Sequence, residues 1–344
     1  MTDGRGIVPG LTLTSDNVLM AMEVIRHAVV RTPMVTSADF DGLVGRRVWV
    51  KDESKQDTGS FKFRGANYAV ATATSAERAA GFIAGSSGNH AQALALAAHL
   101  HNTSATVVIP SDAPAAKRSA IEAFGARIVT YDRRRDRRDA LVQQIACRTG
   151  LTVVPSSNHR GVIAGAGTVA WEMLQEVNDL VALFVPVGGG GLAAGSALAA
   201  AAHNPRLRVI GVEPATANDT HRSLRNGRLT PIPPPDTIAD GLRHTEPARI
   251  PFEINKRLLH GVVTVPEGAI VDAMAYLWRY YSTAAEPSGA VALAGLLQAA
   301  DRLPDGPVGV VLSGGNVDWS SYRTLLDIAM ERTERNPDAA PVLH

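Results

Sequence analysis

The sequence predicts an α/β protein built on open, mostly parallel sheets flanked by helices. Short runs of β-branched residues alternate with helical patterns along most of the chain. This alternation is typical of parallel strands joined by crossover helices. Turn residues such as Gly85 and Gly88 stand where strands are followed by helices. Because ligands bind at the carboxyl ends of the strands in open α/β sheets, these loops are the candidate ligand-binding segments.

The predicted strands and helices follow one another in a regular order. RVWVKDE precedes a helix from Phe61, GFIAGSS precedes one from Asn89, and ATVVIP precedes one near Ala115. The segment PIPPPDTIADG from Pro231 predicts an extended, irregular loop, because its prolines do not fit a regular element. The basic run DRRRDRR from Asp132 predicts a solvated helix start. The remaining strand-like runs are ARIVTYD, LTVVPS, VALFVPV, RVIGVEP and VGVVLSGG.

One uncharged stretch, Leu180 to Ala202, is long enough to span a bilayer. Pro186 and the glycines Gly188 to Gly191 divide it into two parts. The first part, LVALFVPV, predicts a buried parallel strand, and the second predicts an alanine-rich crossover helix. We therefore expect no membrane-spanning segment here.

The composition limits the classes of partner. Of the 344 residues, 45% are apolar, and the formal net charge is +1. This balance supplies no basic field to recruit nucleic acid or anionic lipid, so we expect small molecules or other subunits as partners. Cys147 is the single cysteine, which excludes an intramolecular disulfide and favours a reducing cytoplasm. The first residues offer no signal-peptide core, so we do not expect export.

The spacing of Gly165, Gly167 and Ala170 matches a dinucleotide-binding fingerprint, but that fingerprint requires a strand directly before the first glycine. Only VIA precedes Gly165, and TVAWEMLQEV follows as a helix. We expect these glycines to allow close helix packing, which argues against a nicotinamide-dependent oxidoreductase.

Four separate segments combine into a candidate site, and the first two carry a lysine and a row of polar groups. Lys62 opens a helix between Phe61 and Phe63, so partial desolvation lowers the pKa of its amine and favours Schiff-base chemistry. The segment SSGNH precedes a helix whose first N–H groups, with the neighbouring hydroxyls, predict a carboxylate receptor. Alone, the lysine is also typical of an exposed surface, and SSGNH of a plain N-cap. The residues of this receptor are Ser86, Ser87, Gly88, Asn89 and His90.

The other two segments are a glycine run and a serine at a strand end. In GGGGL, Gly188 to Gly191 follow a predicted strand, and four glycines let the backbone wrap an anion. The dipole of the following helix favours a phosphate there. No Lys-Ser or Lys-Thr pair follows, so a nucleoside-triphosphate loop is not indicated. In LSGGN, Ser313 places a neutral hydroxyl at the end of the strand VGVVL.

Taken together, these segments resemble the fold-type II pyridoxal-phosphate family, specifically the threonine and serine dehydratases and serine racemase. The resemblance covers nearly the whole chain, in the family's order and approximate spacing. It implies a two-domain, tryptophan synthase β-like fold with pyridoxal 5'-phosphate in the cleft. The segments that carry it are RTPM, SFKFRGA, SSGNHAQA, VIAGAGT, PVGGGGL, GVEP, TIADGL, EPSGA and LSGGN.

The expected domains follow from this resemblance. Residues 1–80 and 159–330 form a large cofactor-binding domain, and residues 81–158 form a small inserted domain that can close. Residues 331–344 form a C-terminal tail, which we expect to fray.

The resemblance also implies a role for each candidate residue. Lys62 carries the cofactor and acts as the base at the substrate Cα, Phe61 lies against the pyridine ring, and Asn89 bonds the ring's 3-oxygen. Ser313 bonds the pyridine nitrogen and leaves it largely unprotonated, so elimination of a β-leaving group is favoured over transamination. The phosphate is held by Gly188, Gly189, Gly190, Gly191 and Leu192.

Two further matches concern the subfamily. Ser87 stands where serine racemase carries the hydroxyl that protonates Cα from the face opposite the lysine, so racemisation stays an alternative. Glu213, the Ala217 carbonyl and Asp219 match a racemase-type site for Mg²⁺, Mn²⁺ or Ca²⁺. The family usually has glutamine where this chain has Ala166, which leaves the shape of the substrate open.

The leading hypothesis is a cytoplasmic, homodimeric dehydratase of the ammonia-lyase type. It converts L-threonine, L-serine or a 3-hydroxy relative to a 2-oxo acid and ammonia. The alternative is a serine racemase or a bifunctional racemase and dehydratase. β-Replacement, as in cysteine synthesis, is disfavoured because those enzymes usually have a different asparagine loop from SSGNH. A cofactor-binding protein without catalysis is disfavoured by the intact Lys62, Asn89 and Ser313.

Overall fold

The computed structural model describes residues 13–335, which form an α/β structure with two separate sheets. The strands are β1 (Met34–Val35), β2 (Val48–Asp52), β3 (Phe82–Gly85), β4 (Ala105–Pro110), β5 (Arg127–Tyr131), β6 (Thr152–Val153), β7 (Ala182–Pro186), β8 (Arg208–Pro214), β9 (Gly261–Val265) and β10 (Val308–Leu312).

The larger sheet has six strands in the order β1-β2-β10-β7-β8-β9, and the smaller has four in the order β5-β4-β3-β6. Within residues 13–335, every neighbouring pair of these strands is parallel except β1 and β2, which are antiparallel. The predicted fold class, open and mostly parallel sheets with flanking helices, is confirmed.

Helices connect most of the parallel strands, as crossover geometry requires. The helices are α1 (Ser15–Ile25), α2 (Ala38–Val44), α3 (Lys62–Ala71), α4 (Ser75–Ala80), α5 (Asn89–Leu100), α6 (Ala115–Glu122), α7 (Arg138–Thr149), α8 (Arg160–Glu176), α9 (Gly191–His203), α10 (Asp219–Asn226), α11 (Arg249–Leu258), α12 (Glu267–Tyr281), α13 (Pro287–Ala299) and α14 (Trp319–Arg335). Short 3₁₀ helices lie at Glu53–Lys55, Asp57–Gly59, Asp240–Leu242 and Ala300–Arg302.

The two sheets are built from different parts of the chain. All strands of the smaller sheet lie between Phe82 and Val153, whereas the larger sheet takes its strands from the segments before and after. The chain therefore leaves the larger sheet once and returns to it once. The domain boundaries at residues 81, 158 and 330 stay a prediction. Residues 331–335, assigned to the tail, are the last turn of α14, and residues 336–344 lie outside the described part.

The larger sheet has a hydrophobic core on each face. One core joins α1, α8 and α9 to the sheet, and the other joins α12 and α13 to its opposite face. All five residues of β7 and all five of β10 are buried. Both faces are covered, so these strands are continuously apolar rather than alternating. Between residues 13 and 335, no helix is long and apolar enough to cross a membrane, and the uncharged stretch of residues 180–202 forms β7 and α9.

The glycines of the fingerprint-like segment lie inside α8, where they allow close packing as expected. A Cβ on Gly165 would lie 2.6 Å from the Arg64 carbonyl oxygen in α3. A Cβ on Gly167 would lie 2.7 Å from the Gly195 carbonyl oxygen in α9. α8 therefore contacts α3 and α9 through backbone atoms, and it holds together the two helices that begin at Lys62 and Gly191.

Candidate active site

Lys62 is the first residue of α3, and its side chain points into the region between the sheets' carboxyl ends. Its Nζ donates a hydrogen bond to the Ser156 carbonyl oxygen at 3.1 Å and lies 4.8 Å from the centre of the Phe61 ring. Burial lowers the pKa of Lys62 to about 8, although the Glu286 carboxylate opposes this shift. A large fraction of the amine is therefore neutral near pH 8, and a neutral amine is the form that attacks a carbonyl carbon.

Ser313 lies directly beside the segment that carries Lys62. The Phe61 N–H donates to the Ser313 carbonyl oxygen at 3.0 Å, and Ser60 forms an isolated antiparallel bridge with Gly314. Ser313 itself is only 5% exposed at the carboxyl end of β10. The structure thus brings Phe61, Lys62 and Ser313 close together.

Asn89 is held in one orientation by two side chains. Its Nδ2 donates to Glu286 Oε1 at 2.7 Å, and its Oδ1 accepts from Asn316 Nδ2 at 2.9 Å. Burial raises the pKa of the Glu286 carboxyl to about 8. One N–H of the Asn89 amide is left for a ligand, and the direction of that N–H is set by these two contacts.

The predicted carboxylate receptor lies at the N-terminus of α5. Ser86, Ser87, Gly88 and Asn89 are half-buried, and the Gly88 N–H donates to Ser86 Oγ at 3.3 Å. His90 differs from its neighbours, because its ring is buried and its Nε2 lies 2.8 Å from the Val154 carbonyl oxygen. Burial lowers the pKa of His90 to about 3, so its ring is neutral and makes a structural contact.

The glycine run follows β7 and leads into α9. Gly190 has φ +86°, in the left-handed region that favours glycine, and its carbonyl oxygen accepts from Asn255 Nδ2 at 3.3 Å. A Cβ on Gly189 would lie 2.1 Å from Ser157 Oγ. The backbone N–H groups at this helix N-terminus are suited to an anion. Leu192 follows the glycine run directly, and its apolar side chain is buried in the hydrophobic core.

Ser156 and Ser157, which no sequence motif marked as site residues, connect the lysine to the glycine run. The Ser156 carbonyl oxygen binds Lys62 Nζ, and the Ser157 hydroxyl fills the space beside Gly189. His244 was also missed, and its ring lies against Gly188 and Gly189. These contacts join the predicted lysine, glycine run and strand-end residues around one region, the candidate cleft.

The predicted metal ligands lie apart from this cleft, at the carboxyl end of β8. Glu213 and Asp219 are fully buried, and Glu213 accepts hydrogen bonds from the Thr220 and His221 N–H groups at 3.0 and 2.9 Å. No other residue between 13 and 335 donates to either Asp219 oxygen. Burial raises the pKa of Glu213 to about 8 and that of Asp219 to about 7.

Two buried carboxyl groups with unfilled acceptor positions fit a divalent cation, which prefers oxygen ligands. The Ala217 backbone is buried beside them. The described residues contain no group of three or more His, Cys, Asp and Glu side chains, so carbonyl oxygens and water would have to complete the coordination. The cleft likewise fits pyridoxal phosphate, since it combines a lysine of lowered pKa with a glycine-lined helix N-terminus.

A half-buried lysine of lowered pKa, connected through Ser156 and Ser157 to a glycine-lined helix N-terminus, fits an enzyme that carries its cofactor on an amine. Residues 25–314 match the model of the pyridoxal-phosphate dependent enzyme family. The chain belongs to this family.

Known proteins similar to the chain include both lyases and racemases. It is 42% identical to the L-threo-3-hydroxyaspartate ammonia-lyase of Saccharomyces cerevisiae, over 91% of this chain and 96% of that protein. It is 39% identical to the serine racemase of Schizosaccharomyces pombe, over 91% of this chain and 97% of that protein. The crystal structure of serine racemase from Dictyostelium discoideum superposes with a TM-score of 0.85 at 35% identity, covering 89% of this chain and 99% of that one.

Proposed function

We propose that the protein is a pyridoxal-phosphate-dependent ammonia-lyase acting on a small β-hydroxy amino acid. L-Threonine, L-serine and L-threo-3-hydroxyaspartate are the candidate substrates. The substrate loses its Cα proton and its β-hydroxyl group as water, and the enamine that results hydrolyses to a 2-oxo acid and ammonia. The observation that carries this proposal is the Lys62 amine of lowered pKa, which binds Ser156 next to the serine that packs on the glycine run.

The cofactor, when bound, supplies an electron sink that makes the substrate Cα acidic. The N–H groups of Gly188 to Gly191 would hold its phosphate, Phe61 would lie against its ring, and Ser313 and Asn89 would bond the ring nitrogen and the 3-oxygen. Lys62 would hold the cofactor before the substrate arrives.

The chain's own residues then carry out the proton transfer. The N–H groups and hydroxyls at the start of α5, Ser86 to Asn89, bind the α-carboxylate of the substrate and orient its Cα–H bond. Lys62 Nζ accepts the Cα proton, because its lowered pKa makes the neutral amine available near pH 8. The buried Ser313 hydroxyl, unlike an aspartate, adds no charge at the ring nitrogen.

The first experiment removes the amine. Lys62→Ala should lose the absorption band of the lysine-bound cofactor and should release no ammonia from L-serine, L-threonine or L-threo-3-hydroxyaspartate. Lys55→Ala is the matched control, since Lys55 is exposed a few residues away. Normal ammonia release by Lys62→Ala would contradict the proposal.

A second candidate function is serine racemisation, alone or together with elimination. Ser87 favours it, because its hydroxyl is half-buried at the start of α5 and bonds no other side chain between residues 13 and 335. A hydroxyl there is free to give a proton to Cα from the side opposite Lys62. Chiral analysis of the amino acid that remains after incubation with L-serine separates the two functions.

We further propose that Glu213, the Ala217 carbonyl and Asp219 bind Mg²⁺, Mn²⁺ or Ca²⁺, which the buried and unfilled Asp219 oxygens support. We also propose a cytoplasmic homodimer. Cys147 is exposed as a free thiol, which suits a reducing compartment, and apolar side chains on α1, such as Met20 at 58% exposure, suit a subunit interface. Light scattering of the purified protein measures the subunit number.

A further inference from the structure

His244 lies in the cleft without a role in the proposed chemistry. It follows the 3₁₀ helix Asp240–Leu242, and its N–H donates to the Leu242 carbonyl oxygen at 2.8 Å. The Gly241 N–H donates to Ser288 Oγ of α13 at 2.9 Å. These bonds fix the loop to the larger sheet's helix layer and hold the His244 backbone in place.

The ring of His244 packs on the glycine run. A Cβ on Gly188 would lie 3.0 Å from its Cδ2, and a Cβ on Gly189 would lie 3.2 Å from its Cε1. Neither ring nitrogen forms a hydrogen bond with another residue in the range 13–335. A half-buried imidazole with two unused nitrogens at the mouth of a binding cleft is available to a ligand.

The charges around this ring are mostly positive. Burial, together with the charges of Lys62 and Arg138, lowers the pKa of His244 to about 4, and the Asp139 charge opposes this shift. Arg138 lies across the carboxyl end of β3, because its methylene groups are 3.0 Å from where a Cβ on Gly85 would be. Its Nε pairs with the exposed Asp139 carboxylate at 2.8 Å.

The position of these charges indicates which ligand His244 faces. Arg138 and Asp139 belong to the start of α7, next to the strand that leads into SSGNH, where the proposed substrate carboxylate binds. His244 therefore lies between the glycine run and the substrate side of the cleft. A second negative group on the substrate would there meet the unpaired imidazole and the positive charge of Arg138.

We propose that His244 recognises the side-chain carboxylate of the substrate, so that the lyase prefers an acidic β-hydroxy amino acid to serine or threonine. The proposal rests on the ammonia-lyase function given above and specifies its substrate class. In it, one ring N–H of His244 donates to the β-carboxylate, and Arg138 adds a favourable long-range charge.

The kinetic test compares two substrates on the holoenzyme. His244→Ala should lower kcat/KM for L-threo-3-hydroxyaspartate by about tenfold or more while leaving that for L-serine within about threefold, as for a lost hydrogen bond to a charged group. His244→Gln keeps an N–H donor and should retain most of the preference. His99→Ala, an exposed histidine at the end of α5, should behave as the wild type.

A binding test does not depend on turnover. Succinate carries two carboxylates but no amino group, and butyrate of similar length carries one. Calorimetric titration of the holoenzyme should show succinate binding more tightly than butyrate, and His244→Ala should remove that difference. Equal succinate affinities for the wild type and His244→Ala would overturn the proposal.

The outcomes separate this proposal from the lyase function. If the wild type releases ammonia from L-serine or L-threonine but not from L-threo-3-hydroxyaspartate, the substrate class is wrong and the lyase function stands. If no β-hydroxy amino acid gives ammonia, the lyase function is wrong, and the succinate titration still decides the role of His244. An equal loss of activity on both substrates, with weaker cofactor binding, would assign His244 to the cofactor instead.

Discussion

Arg64, on the same helix as Lys62, and Glu53 form a buried ion pair with two parallel hydrogen bonds. Arg64 Nε and Nη2 lie 2.8 Å from the two oxygens of Glu53, and both side chains are 0% exposed. Arg64 also binds Glu172 of α8 at 2.7 Å, and Lys51 binds the same carboxylate at 2.7 Å. Two cations and two anions are therefore buried together in a neutral cluster.

Removing one anion from this cluster should destabilise the protein strongly. Glu172→Gln leaves two buried cations with one carboxylate, and an uncompensated buried charge costs about 3–5 kcal/mol. Glu176→Gln is the control on the same helix, because its pair with Arg31 is exposed and worth about 0–1 kcal/mol. Urea unfolding of both variants measures the two free energies, and equal values would contradict the assigned role of the cluster.

The lowered pKa of Lys62 predicts how cofactor uptake depends on pH. The neutral amine attacks the cofactor's aldehyde, so the uptake rate of the apoenzyme should rise with pH and level off above about 8, not above the ordinary value of 10.5. Stopped-flow absorbance measures this rate. A rate that still increases tenfold per pH unit between about pH 8 and 9 would mean that the amine is not desolvated.

Ser87 should matter for one face of the substrate only. Ser87→Ala should abolish any racemisation and leave elimination from an L-substrate within about tenfold, a barrier change of roughly 1.4 kcal/mol. Ser86→Ala is the neighbouring control, since the Ser86 hydroxyl accepts from the Gly88 N–H, and racemisation should survive in it. Loss of elimination by several orders of magnitude in Ser87→Ala would show that both faces are needed.

The carboxyl pair at the end of β8 predicts a response to divalent cations. Ca²⁺ or Mg²⁺ at about a hundred times its Kd should stabilise the wild type by roughly 2.7 kcal/mol, seen as a higher melting temperature. Asp219→Asn should lose this response. In chelator, this variant should be at least as stable as the wild type, because it replaces a buried carboxyl group whose oxygens accept no hydrogen bond from any other described residue. Asp305→Asn, at an exposed position, should keep the response. Equal melting temperatures of the wild type with metal and with chelator would contradict the proposed metal site.

Much of the fold was predictable from the sequence, and the missing elements have physical reasons. Strands β7 and β10 are recognisable because burial on both faces makes them continuously apolar. Strand β1 has only two residues, too few to show any periodicity, and β9 is a partly exposed edge strand with one fully buried residue. Neither was predicted.

The candidate site was predictable where the residues stand at strand ends, because parallel strands bring their carboxyl ends together. Glu286, Ser157 and His244 were missed as site residues, since each reaches the cleft through contacts between distant parts of the chain. Asn89 and Glu286, for example, are 197 residues apart. The segment EPSGA contains Glu286, and TIADGL lies just before His244 in the sequence. Neither segment indicates by itself which side chain faces the ligand.

The close contacts of α8 with α3 and α9 limit how the sequence can change over generations. A Cβ on Gly65, Gly165, Gly167 or Gly195 would come within 2.4–2.7 Å of a carbonyl oxygen in the opposing helix. Even the methyl group of alanine at these positions would force the opposing helix backbones to move apart. Loops such as the one that carries His244 have no such backbone contact at every turn, so a change of substrate preference is easier to accommodate there than in the helices that set the spacing between the lysine and the glycine run.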